Sequence, residues 1–184
     1  MSDTGTIPRR IDYRRAAFDR ADLAGVLTLS ALPRTQAVCV ERHETDVAVE
    51  MGFEEDAQRR VIVEGRASAY LKLPCQRCLE AADVALDIPI RGMAVADDTA
   101  AARVPRDWEP MLADGQMLDL HALVDDELLL ALPITVRCDR QSCRTAYEQN
   151  KEQGAPIEDV PESEKRNPFA ALSALKAGNS NETD

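Results

Sequence analysis

Between Thr45 and Phe53 the apolar residues fall on every second position, as Val47, Val49, Met51 and Phe53, which is the period of a half-buried strand. Glu54-Glu55-Asp56 reads as the turn that ends it. Arg60 to Leu73 predicts a long strand with Val61, Val63, Gly65, Ala67, Ala69, Leu71 and Leu73 on one side. After a turn at Pro74-Cys75-Gln76-Arg77-Cys78, alternation resumes from Glu80 to Ile90 through Val84, Leu86, Ile88 and Ile90. Three such runs joined by turns predict an antiparallel meander. Upstream, Ala24 to Leu29 predicts a short strand, and Ser30 is placed to cap a short helix over Leu32 to Val38 with Pro33 in its first turn.

Residues 93–117 are weakly patterned. Ala96 to Arg106 reads as a polar, mobile loop, and Trp108 to Met111 and Gln116 to Leu118 as short edge pieces. The period then changes to that of a helix: Asp119 is a good N-cap, Leu120, Leu123, Val124, Leu128 and Ala131 form a stripe, and Pro133 sets the end. Ile134 to Arg137 is short and extended. The fold class expected is α+β: an antiparallel β-meander, open or curled into a partial barrel, packed with one main amphipathic helix and followed by a flexible C-terminal segment. The expected organisation is a single domain over 1–150, a flexible acidic linker over 151–166, a short amphipathic docking helix over 167–176 and a disordered tail over 177–184. In the short helix Asn167 is the cap, and Phe169, Leu172 and Leu175 share one face that docks on its own domain or on a partner.

Composition refines this outline. Of 184 residues 45% are apolar but only 4% aromatic, so the core must rest on aliphatic side chains. The net charge of −11 argues against a DNA-coating protein, whose affinity comes from neutralising phosphates. Charge is uneven, however: residues 1–43 hold seven Arg against five acids, whereas residues 92–136 hold two bases against nine acids. Arg9, Arg10, Arg14 and Arg15, interleaved with Tyr13 and Phe18, have the texture of an RNA-contacting edge, and equally of a solvated arm. The first fifteen residues contain no apolar signal region, and no run approaches the roughly 20 apolar residues that span a bilayer. A cytoplasmic protein without a membrane partner is expected, in which cysteines are thiols or metal ligands before they are disulfides.

The cysteines are the main candidate chemistry. Cys75-x-x-Cys78 sits on the hairpin tip and Cys138-x4-Cys143 just past the helix, so the four could close one tetrahedral Zn²⁺ site and staple meander to helix. Free thiols and a labile disulfide are the alternatives. A redox pair fits less well, because here C-x-x-C joins two strands where redox motifs open a helix. Cys39 is unassigned. Four thiolates would leave a zinc no open position for catalysis, which disfavours a thiol or zinc enzyme.

Glu127 falls inside the apolar stripe of the helix and needs a partner; Arg77, held between Cys75 and Cys78, is the candidate for a structural ion pair. Asp125, Asp126 and Glu127 cannot converge on one ion, because adjacent helical residues point apart. His121 and His43 have no neighbouring nucleophile pattern and read as surface residues. Glycine-rich phosphate cradles and nucleophile elbows are absent.

Three blocks carry a resemblance: Leu73-Pro74-Cys75-Gln76-Arg77-Cys78; Asp119 through Pro133 followed by Cys138 and Cys143; and Asn167 through Lys176. In order and spacing they resemble the YceD family of large ribosomal RNA subunit accumulation proteins, from about residue 7 to residue 176. The resemblance implies a non-enzymatic ribosome-biogenesis role in the synthesis, processing or stability of 23S rRNA. Its partners would be that rRNA or its precursor, or basic large-subunit ribosomal proteins drawn to the acidic segment. It carries over no catalytic residue. The rival expectation is a zinc-stapled interaction adaptor unrelated to ribosomes.

Overall fold

A computed structural model of the chain describes residues 5–40 and 45–152. The chain divides into two units, Met1–Thr145 and Ala146–Asp184. In the first unit the elements in order are β1 (Gly5–Thr6), β2 (Arg10–Asp12), α1 (Tyr13–Phe18), β3 (Asp22–Thr28), α2 (Pro33–Val38), β4 (Asp46–Glu55), β5 (Val61–Pro74), β6 (Ala81–Val95), α3 (Asp98–Ala101), β7 (Glu109–Leu112), β8 (Met117–Asp119), α4 (Leu120–Leu130) and α5, which begins at Gln141.

The expected meander forms the centre of a six-stranded sheet of order β1-β3-β4-β5-β6-β7. Strands β3 to β6 are antiparallel, while β1 joins β3 and β7 joins β6 in parallel at the two edges. The sheet stays open and does not close into a barrel, because β1 and β7 each pair with a single neighbour. A separate antiparallel ribbon joins β2 to β8.

Alternation fixed the inward face. Val47, Val49, Met51 and Phe53 of β4 are buried beside Val61, Val63, Ala67, Ala69, Leu71 and Leu73 of β5 and Leu86, Ile88 and Ile90 of β6. The registers Val49↔Ala67 and Ala67↔Ile88 keep these side chains on one face. Leu120, Val124 and Leu128 of α4 and Tyr13, Ala16 and Ala17 of α1 belong to the same core. Gly65 is required where β5 crosses β4, since a Cβ there would collide with the Glu50 carbonyl.

Several local expectations change. Strand β4 continues through Glu55, and the reversal lies over Asp56–Arg60, closed by the Asp56 N–H to the Arg60 carbonyl at 2.9 Å. Strand β6 runs on to Val95, and the loop expected over Ala96–Arg106 contains α3, capped by Asp97. Ser30 does not cap α2. It lies in a 3₁₀ turn over Leu29–Ala31, and Leu32 precedes the helix without a side-chain cap. Asp119 does cap α4, accepting from the Ala122 N–H at 2.9 Å. Ala131 is exposed at the end of the stripe. His121 is half-buried, with Nε2 3.1 Å from the Ile7 carbonyl oxygen, and is not the free surface residue expected. Ile134–Arg137 forms no strand. His43 and residues 153–184, including Phe169, Leu172 and Leu175, lie outside the described residues. Among the described residues no helix is long and apolar enough to cross a membrane.

Candidate metal centre

The β5–β6 hairpin is the longest ladder of the sheet, and its tip is built as a tight knuckle. Pro74 pairs with Ala81, the Cys75 N–H donates to the Glu80 carbonyl at 2.9 Å, and the Leu79 N–H donates to the Cys75 carbonyl at 2.8 Å. Leu79 closes the knuckle with φ 61°, in the left-handed region. Pro133 ends α4 and sends the chain back across this tip. The Gln76 N–H donates to the Val136 carbonyl at 2.9 Å and Gln76 Nε2 to the Ile134 carbonyl at 3.2 Å. The segment after α4 is thus tied to the knuckle by these hydrogen bonds in place of a strand ladder.

This path brings all four predicted cysteines together. The sulfurs of Cys75, Cys78, Cys138 and Cys143 lie within 4.8 Å of one another. Cys75 Sγ is 4.0 Å from Cys143 Sγ, and Cys78 Sγ is 3.8 Å from Cys138 Sγ. Cys75, Cys138 and Cys143 are buried and Cys78 is half-buried. Four thiolates about 2.3 Å from one Zn²⁺ would stand about 3.8 Å apart along each tetrahedral edge, so the four residues fit a metal with small adjustments. The cluster could hold a metal ion. Cys39 lies outside it and donates instead to the Thr35 carbonyl at 3.3 Å, and burial pushes its thiol pKa up.

Hydrogen bonds differentiate the thiols. The Cys138 N–H donates to Cys75 Sγ at 3.3 Å, and with the Cys78 and Arg77 N–H groups it brings the Cys75 pKa down to about 5 against the opposing effect of burial. Arg140 Nε donates to Cys138 Sγ at 3.4 Å and Nη2 to Cys78 Sγ at 3.3 Å, and the Arg140 donors hold Cys138 below the ordinary thiol value. Burial and the neighbouring thiols push Cys143 up to about 12. The arrangement stabilises sulfur anions on one side of the cluster and opposes a further one on the other.

The ion pair expected between Arg77 and Glu127 does not form. Arg77 Nη2 donates to the Cys138 carbonyl at 2.6 Å, and Nε is buried without a partner. Glu127 is raised in pKa by burial and by the negative charges of Glu109 and Asp126. The reason is the return path after Pro133: it puts a backbone carbonyl against Arg77 before the carboxylate can reach it. The buried carboxylate of α4 is Asp125, which sequence reasoning did not single out. It is 3% exposed and accepts from the Arg34 N–H at 3.0 Å and the Thr35 N–H at 2.8 Å, capping α2 from another helix. A signal was available: α2 starts at Pro33 and is preceded by Leu32, which offers no capping side chain, so its N–H groups needed an acceptor from elsewhere.

The four arginines of the N-terminal edge are not a continuous free basic surface. Arg9 bonds Asp119 at 3.3 Å, Arg10 bonds Asp114 at 3.3 Å and Arg15 pairs with Asp19 at 3.6 Å. Arg14 instead lies over the Tyr13 ring, 5.6 Å from its centroid.

An open, mostly antiparallel sheet in an α+β domain, with a four-cysteine cluster at the tip of its central hairpin, defines the class of domain. The chain belongs to the YceD family: the family model described as large ribosomal RNA subunit accumulation protein YceD matches residues 63–176. The chain is also 30% identical over 171 residues to the large ribosomal RNA subunit accumulation protein YceD of Haemophilus influenzae, covering 92% of this chain and 96% of that relative. No solved structure matches it.

Proposed function

We propose that this protein is a non-enzymatic, cytoplasmic factor of ribosome biogenesis that supports the synthesis, processing or stability of 23S rRNA and so the accumulation of large subunits. The observation that carries this reading is the near end-to-end match to a relative named for large ribosomal RNA subunit accumulation. The partners are 23S rRNA or its precursor and the basic proteins of the large subunit, the latter attracted by a chain of net charge −11. The family match extends to residue 176, so the segment bearing Phe169, Leu172 and Leu175 is included as a docking element.

Within this role Cys75, Cys78, Cys138 and Cys143 hold one Zn²⁺. When bound, the ion supplies a cross-link and no open coordination position. The protein's own residues suit that state. A zinc with four thiolates carries two net negative charges, and the two guanidinium groups of Arg77 and Arg140 lie beside the sulfurs to balance them. The clasp fixes the segment after α4 against the hairpin tip, which sets the surface presented to the pre-ribosome.

Sucrose-gradient profiles of a depleted strain test the role. A deficit of large subunits, restored by the wild-type chain, is expected. Normal profiles would overturn it and leave a metal-stapled adaptor unrelated to ribosomes.

A further inference from the structure

The ladder of β5 and β6 has a second end, and the cysteine clasp does not use it. At the register Val61↔Ala94, far from the Pro74↔Ala81 tip, the two strands open onto a groove of about 840 Å³. Helix α1 forms one wall, the β4–β5 turn another, and the run from the end of β6 through α3 the third.

Its chemistry differs from that of the rest of the molecule. Four arginines, Arg14, Arg59, Arg60 and Arg103, line it against two carboxylates, Glu55 and Asp97, in a chain of net charge −11. Arg14 and Arg103 have no carboxylate partner among the described residues, and both are exposed. Arg59 reaches Glu55 at 2.9 Å, but its side chain is 87% exposed, and such a pair exchanges readily for a phosphate. Arg60 is held in place by Asp56 at 2.6 Å.

Two further features mark the groove. Phe18, also lining the groove, ends α1 one turn beyond Arg14 and is 81% exposed, so the core does not account for an aromatic there. Arg59 holds φ 63°, in the left-handed region that glycine occupies without strain. Arg20 and Leu79 hold the same region at their own turns, so this conformation marks the tight reversal, which leaves the Arg59 side chain exposed beside the groove.

The geometry points to this groove as a binding site for single-stranded RNA, with Arg14, Arg59 and Arg103 on phosphates and Phe18 stacked on an unpaired base. The inference rests on the ribosomal RNA reading above and deepens it, since it moves the contact from the whole N-terminal edge to the groove. Arg9, Arg10 and Arg15 lie outside the lining of the groove, whereas Arg14 is part of it. A single strand is favoured over a duplex because a stacking platform engages only bases that are splayed out. An acidic peptide would use the arginines but leave the phenyl ring without a role.

Fluorescence anisotropy of the full chain with a short labelled oligouridylate, over a range of KCl, provides the test. Phe18→Ala is expected to weaken binding about 5- to 100-fold. The double variant Arg59→Gly, Arg103→Ala is expected to reduce the slope of log K against log salt by about 1.4. Arg9→Ala with Arg10→Ala should leave the affinity within about twofold, because neither side chain lines the groove. Phe18 and Arg103 are exposed and Arg59→Gly relaxes a strained φ, so unchanged thermal melts will separate lost binding from lost folding. The site is overturned if the groove variants bind like wild type, if only the Arg9/Arg10 variant weakens, or if duplex RNA binds as well as the single strand. It is also overturned if polyglutamate competes for the arginines while Phe18→Ala has no effect, or if the wild-type chain binds no oligouridylate. None of these results touches the large-subunit deficit in depleted cells, so the groove and the ribosomal role fail separately.

Discussion

The carboxylate of Asp125 and the backbone N–H of Thr35, ninety positions apart, are joined by a buried 2.8 Å hydrogen bond. The other carboxylate oxygen takes the Arg34 N–H at 3.0 Å, so one side chain of α4 satisfies two of the N–H groups that α2 leaves open at its start. The Thr35 hydroxyl donates in return to the Asp125 carbonyl at 3.4 Å. Helices α2 and α4 are therefore fixed to each other by polar geometry as well as by packing.

Asp125→Ala is expected to lower stability by about 2–3 kcal/mol, since it leaves buried donors without acceptors. Asp126→Ala, which removes an exposed contact to Arg34 and an unfavourable negative charge near Glu127, should change it by less than about 0.5 kcal/mol. Urea unfolding of the two variants beside wild type checks the contrast, and equal losses would contradict it.

The clasp predicts about one zinc per chain in protein purified without chelators, measured by elemental analysis. Cys75→Ser and Cys143→Ser should each abolish stoichiometric metal and lower the melting temperature, as should a strong chelator. Cys39→Ser should do neither, because Cys39 stands apart from the cluster. Retention of zinc in the Cys75 and Cys143 variants would place the metal elsewhere.

Glu127 carries a pH signature. Burial, Glu109 and Asp126 raise its folded pKa above the ordinary 4.5, so the folded state binds the proton more tightly than the unfolded one. Stability is undiminished below that ordinary value and falls as pH rises through the folded pKa. Glu127→Gln removes the penalty and should stabilise the protein at pH 7 by a few tenths to about 1 kcal/mol, allowing for solvent screening at a half-exposed site. The gain should vanish below about pH 4.

Asp119 has the opposite sign. Partial burial raises its pKa, but the Ala122 N–H and the Arg9 guanidinium outweigh that and hold it below 3.8. Its contribution is present above that value and is lost as pH falls through the folded pKa. Asp119→Ala should lower stability by about 1 kcal/mol at pH 7, the usual worth of a helix cap, with the gap narrowing at an acid pH below 3.8. Thermal melts at the two pH values decide it.

The sequence by itself determined the strands β4, β5 and β6, because the side-chain period of two is local and Val47–Phe53, Val61–Leu73 and Leu86–Ile90 state it without reference to the rest of the chain. It also determined the cap at Asp119 and put two cysteine turns forward as candidates, one on a hairpin tip and one after a proline-stopped helix, but their meeting was decided by the fold. What only the tertiary structure decided was which polar groups meet across long separations: Asp125 with α2, Arg77 with the Cys138 carbonyl in place of Glu127, and Arg14 and Phe18 with Arg59 and Arg103 around one groove. The parallel edge pairings of β1 and β7 belong to the same group. The physical reason is that periodicity records which side of an element faces the core, whereas the partner of a charge depends on where the chain returns, and that is fixed by packing the whole sheet.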